Sequence, residues 1–136
     1  MKTDRVGIWV EIGIGIAIAI GMGAALLGSP SAAAAGDAAT GKTPFVANCV
    51  SCHGETGKGD GPVGAALDPR PRDFSVAQFK FDTDKDGKTG TDADLTNVIR
   101  KGGAEFGGSP LMAPWPTLSD ADVSNLIAYI RSLKKK

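Results

Sequence analysis

Both cysteines of this 136-residue chain and its only histidine fall in one pentapeptide, Cys49-Val50-Ser51-Cys52-His53. No other feature restricts the fold so tightly. A disulfide within it would leave the histidine without a role, and a thioredoxin-type dithiol belongs to a βαβ pattern that the sequence lacks. Structural zinc takes four Cys or His ligands, more than the chain possesses. C-x-x-C-H is instead the attachment signature of c-type haem. On one helical turn the two sulfurs reach both vinyl groups of a porphyrin, and the adjacent imidazole meets the iron. Composition agrees with a bulky cofactor. Aromatic residues make up 6% of the chain against 19 glycines and 8 prolines, a thin supply of large side chains for a core. A porphyrin supplies the missing apolar mass, so the haem-free chain is expected to fold poorly.

The 15 basic and 15 acidic side chains cancel. That removes the bulk attraction to phosphate on which nucleic-acid binding depends, and no nucleic-acid partner is expected. At the front, Lys2 and Arg5 precede an almost purely apolar run from Ile12 to Leu27, followed by Pro30 and small residues up to Ala35. A charged start, an apolar centre and an A-x-A site describe a secretory signal peptide over residues 1–35. The apolar run of 16 residues falls short of the ~20 that span a bilayer. If retained, the same segment becomes a membrane anchor, and only then does a membrane enter the list of partners. In either case residues 36–136 form one exported domain, which places it in the periplasm, where such haem is attached.

From residue 41 to residue 133 the chain resembles the class I cytochromes c, small exported mono-haem electron carriers. The likeness is carried by TGKTPFVANCVSCHG, GDGPVGAALDPRPRDF and GGSPLMAPWPTLSD, and by an amphipathic last helix. It implies an all-α cytochrome c fold of three to four helices around one covalent haem c, with redox proteins as transient partners. His53 leaves one face of the iron open. No second histidine exists, and Met1 and Met22 lie in the leader, which leaves Met112 on the proline-braced loop Ser109-Pro110-Leu111-Met112-Ala113-Pro114-Trp115. The family usually has proline directly after the methionine, whereas here Ala113 intervenes. A His/Met pair saturates the iron, and the soft thioether favours the ferrous state and raises the potential. Such an iron carries electrons and does little else, so no enzymatic activity is expected. Three alternatives stay open: Met112 only packs and leaves an open-site haem enzyme, it leaves a gas sensor, or the chain is the haem subunit of a dehydrogenase or reductase complex.

The resemblance assigns further residues. Pro62 matches the family proline whose carbonyl accepts the proton on the far nitrogen of the ligating imidazole; otherwise it belongs to an ordinary GDGP turn. Arg72 is the expected partner of a haem propionate, because guanidinium pairs with carboxylate bidentately, and Arg70 is its substitute. Trp115 donates its indole N–H to a propionate or covers the ring edge. Three helices frame the site. The first runs over Thr40–Cys49 with Gly41 and Phe45. The next starts at Thr91, with Asp94 closing a capping box and Gly102 ending it. The last is capped by Ser119 and Asp122 and carries the stripe Val123, Leu126, Ile127, Ile130 and Leu133. Tyr129 is expected to meet Gly41 or Phe45 where first and last helices cross.

One loop is not required by the family. Asp82, Asp84, Asp86 and Gly87 match positions 1, 3, 5 and 6 of an EF-hand calcium loop, but the twelfth position is Ala93 instead of glutamate. Lys85 and Lys88 offset the charge. A calcium (Ca2+) site and a solvated acidic turn are the two readings, with the turn favoured. At the C-terminus, Arg131 and Lys134–Lys136 complement the negative end of the last helix, or else steer an acidic redox partner.

Overall fold

Asp37 opens the first helix by accepting hydrogen bonds from the backbone N–H groups of Ala39 and Thr40 at 3.3 and 2.8 Å. These are two of the donors that a helix start leaves without an internal partner. The computed structural model describes residues 35–136, so the leader or anchor assigned to the front of the chain lies outside the described residues. Helix α1 spans Ala38–Asn48, beginning two residues before the expected Thr40 because Asp37 caps it. After a break at Cys49, the single turn α2 covers Val50–His53. A long irregular stretch follows, interrupted by a 3-10 turn at Gly64–Ala66. Helix α3 spans Asp92–Lys101 and α4 spans Asp120–Ser132.

The caps of the last two helices are those expected from the sequence. Thr91 with Asp94, and Ser119 with Asp122, each form a reciprocal capping box. Gly102 ends α3 at φ +83°. The core sits where α1 crosses α4. Phe45 is fully inaccessible, and Val123, Leu126, Ile127 and Ile130 are buried along one stripe of α4. Tyr129 meets Phe45 with ring centroids 5.0 Å apart. Gly41 allows that approach: a β-carbon there would collide with the backbone carbonyl of Asn125. Arg100 ties α3 to the entry of α4, donating to the Leu118 carbonyl at 2.9 Å and to the Asp120 carboxylate.

Among the described residues there is no strand, and no helix is long and apolar enough to cross a membrane. The architecture is the all-α one expected.

Candidate functional site

The site begins with one helical turn. Helix α2 closes with the His53 N–H on the Cys49 carbonyl at 2.8 Å, and its remaining carbonyls would normally lack partners. Here the chain folds back to supply them. The N–H groups of Val63, Gly61 and Gly59 bond the carbonyls of Ser51, Cys52 and His53 at 2.9, 3.2 and 2.8 Å. This return is possible because Gly61 and Gly64 lie too close to that turn for any side chain. The pentapeptide is thereby held as a rigid unit.

Cys49, Cys52 and His53 line one cavity of about 440 Å³. Both thiols are free of disulfide. Burial, with a smaller contribution from neighbouring Cys52, pushes the Cys49 thiol up to about 11. That shift disfavours the thiolate, the reactive form in redox chemistry, at Cys49. His53 is buried, and burial lowers its pKa against the opposing effect of a hydrogen bond to Arg72. That bond runs from His53 Nδ1–H to the Arg72 carbonyl at 3.2 Å. It selects the neutral tautomer whose Nε2 lone pair is available to a metal. Phe74 stacks on the imidazole at 4.6 Å between centroids, with 16° between the planes.

The carbonyl partner corrects the expectation for Pro62. Pro62 is exposed and lies outside the cavity lining; after the 3-10 turn the chain returns through Pro69–Phe74, and it is Arg72 that meets the ring. A backbone carbonyl leaves no mark in a side-chain pattern, so no sequence signal pointed to it. Arg72 is itself one of the residues lining the cavity, as is Arg70. Lys80, which sequence reasoning missed, is a third cation there. Among the described residues none of these three belongs to an ion pair.

Met112 and Trp115 line the same cavity, from a segment some sixty residues beyond the pentapeptide. A turn in which the Met112 N–H bonds the Ser109 carbonyl at 3.1 Å brings Met112 in. Apolar surface comes from Leu95, Val98 and Ile99 on α3, and from Phe79 and Phe81, whose alternation around Lys80 was the signal available in the sequence. Two free thiols, a neutral imidazole, a thioether, apolar walls and unpaired cations make a donor set that fits a haem with two carboxylate arms.

Asp82, Asp84 and Asp86 also come together, with one carboxylate oxygen of each within 4.8 Å of the others. Asp82 accepts the N–H groups of Asp86 and Gly87 at 3.0 and 2.9 Å, which closes the turn by itself. Asp94 has more than a capping role. It is 1% exposed and also accepts the hydroxyl of Thr83 at 2.8 Å, pinning the acidic loop to α3.

Comparison with known proteins agrees with this geometry. The family model described as Cytochrome c matches residues 38–134. Cytochrome c-554(547) of Halothiobacillus neapolitanus is 39% identical over 103 residues, which is 74% of this chain and 100% of the relative. A chain of the reducing HAO-like protein complex of Kuenenia stuttgartiensis superposes with a TM-score of 0.59 at 30% identity over 70% of this chain. This chain spans only 41% of that one. The fold and the donor set define a small haem-bearing electron-transport protein. The chain belongs to the cytochrome c family, and its cofactor class is haem c.

Proposed function

We propose that this protein is an exported one-electron carrier rather than an enzyme. Cys49 and Cys52 form the thioether links to one haem, and His53 and Met112 are the two protein ligands of its iron. When bound, the haem supplies a one-electron couple. The residues around it do the rest. The Arg72 carbonyl holds His53 in its neutral, ligating tautomer, and Phe74 fixes the plane of the ring. Arg72, with Arg70, takes the propionates, and Trp115 covers the apolar edge. Residues 1–35 are the leader that brings the domain to the periplasm, where larger redox proteins dock transiently.

The observation that carries this reading is the convergence of both thiols, the neutral imidazole and Met112 on one apolar cavity. The test is the visible spectrum of holoprotein, oxidised and reduced, with and without carbon monoxide. A methionine–iron band near the red edge and no reaction with carbon monoxide are expected. A high-spin ferric iron that readily binds carbon monoxide would instead make the protein an open-site haem enzyme or gas sensor.

A second reading has one observation in its favour. Likeness to a chain of a reducing HAO-like complex fits a haem subunit held within a larger redox assembly. Copurification of the native protein with a partner at high salt separates that role from a freely diffusing carrier.

A further inference from the structure

We propose that the Gly102–Gly103 pair at the C-terminal end of α3 positions Met112, and so fixes where its thioether meets the cavity. The proposal rests on Met112 as a haem ligand, and the variants below separate the two.

Methionine has three rotatable bonds and fills whatever space it is offered, so its sulfur is confined only if its backbone is. Here that backbone is fixed on both sides. The Met112 N–H is bonded within its own turn, and its carbonyl accepts the Gly103 N–H at 3.0 Å. The Gly103 carbonyl accepts the Gly108 N–H at 2.9 Å, and the Ile99 carbonyl accepts the Trp115 N–H at 2.9 Å. The loop bearing Met112 is therefore hydrogen-bonded to the end of α3 before, at and after the methionine.

Contact is so close that neither position has room for a side chain. A β-carbon on Gly103 would stand 2.7 Å from the Ser109 carbonyl oxygen and 3.0 Å from Met112 Cβ. One on Gly102 would stand 2.8 Å from the Met112 carbonyl oxygen and 3.1 Å from the Pro114 nitrogen. All four neighbours are backbone atoms or a β-carbon, so rotating a side chain cannot relieve the overlap and the loop itself must shift. The helix stops at Gly102, whose φ of +83° with ψ of 170° is a backbone conformation that suits glycine alone. Gly103 is not left-handed, so the helix stop does not require it; its lack of a side chain matters for the methionine. Sites of this kind tolerate only about 0.5 Å of misplacement.

The experiment compares holo variants by their methionine–iron band, midpoint potential and melting temperature. Gly103→Ala is expected to weaken or abolish the band and to lower the potential toward that of Met112→Ala, at temperatures where the protein is still folded. Gly87→Ala is the control for backbone strain alone: Gly87 is left-handed at φ +84° with nothing within 4 Å of a β-carbon. It should lower melting and leave band and potential unchanged. Where Gly103→Ala does not accumulate, Gly108→Ala applies milder pressure, its β-carbon 3.0 Å from the Gly103 oxygen and 3.0 Å from Phe81 Cζ, whose ring can turn away, and a partial loss of the band is expected. If Met112→Ala removes the band while Gly103→Ala, or Gly108→Ala in its place, keeps wild-type band and potential, the positioning role is overturned and the ligand stands. If Met112→Ala itself keeps the band, both fall together.

Discussion

The histidine side and the methionine side of the cavity are built in different ways. Cys49, Cys52 and His53 come from one helical turn, and the loop that bonds its carbonyls ends ten residues later at Val63. Met112 is brought to the same cavity from far along the chain and is held by the end of α3. Local hydrogen bonding therefore fixes one side, whereas the other depends on how α3 packs. On the proposed ligand set, attachment and ligation are separable: damage to α3 should loosen the methionine while the haem stays covalently bound.

The largest effect should come from the local side. Replacing both thiols, Cys49→Ala with Cys52→Ala, is expected to let haem be extracted by acidified organic solvent and to abolish the cooperative melt of the isolated chain. Retention of haem through that extraction would break the division. Phe45→Ala comes next. It empties the α1–α4 crossing, where Phe45 is completely buried, at a cost of about 3–5 kcal/mol. Chemical denaturation of the holoprotein measures it, and the methionine–iron band of the folded fraction should survive.

Asp94 tests the other side. Burial would raise its pKa, but hydrogen bonds from the backbone and hydroxyl groups of Thr83 and Thr91 outweigh it and hold the carboxyl down to about 2. A folded pKa below the ordinary value of 3.8 means stability that is fully present above about pH 4 and lost as pH falls toward about 2. Asp94→Asn is expected to cost about 1–3 kcal/mol near neutrality and to flatten that acid limb in pH-dependent denaturation. An unchanged acid limb would detach Asp94 from the stability of α3. The smallest effect belongs to the acidic loop. Asp84→Ala should change stability by less than about 0.5 kcal/mol, equally with and without calcium. A calcium-dependent rise in melting that the variant lacks would turn the loop into a cation site.

Sequence reading served the two sides unequally. The pentapeptide, both capping boxes and the α4 stripe were legible, because each is a short-range pattern of side-chain types. Helix α1 starts two residues before the sequence pattern suggests, since Asp37 stands in a small-residue run that hides its capping role. Arg72 in place of Pro62 was out of reach, because the group that matters is a backbone carbonyl whose direction depends on the 3-10 turn and the return through Pro69. As a sequence pattern Asp94 marks only a cap. Its bonds to Thr83 join residues eleven apart, and no local pattern marks that pairing. Elimination points to Met112 in the sequence, but what holds that residue in place is a set of contacts between α3 and a distant loop.

The account's central claim is that His53 and Met112, so differently anchored, ligate one iron. Redox titration of holo Met112→Ala beside the wild type tests it most directly. Loss of the thioether should lower the midpoint potential and remove the far-red band while haem stays covalently attached. A variant with the wild-type potential and an unaltered spectrum would contradict the claim.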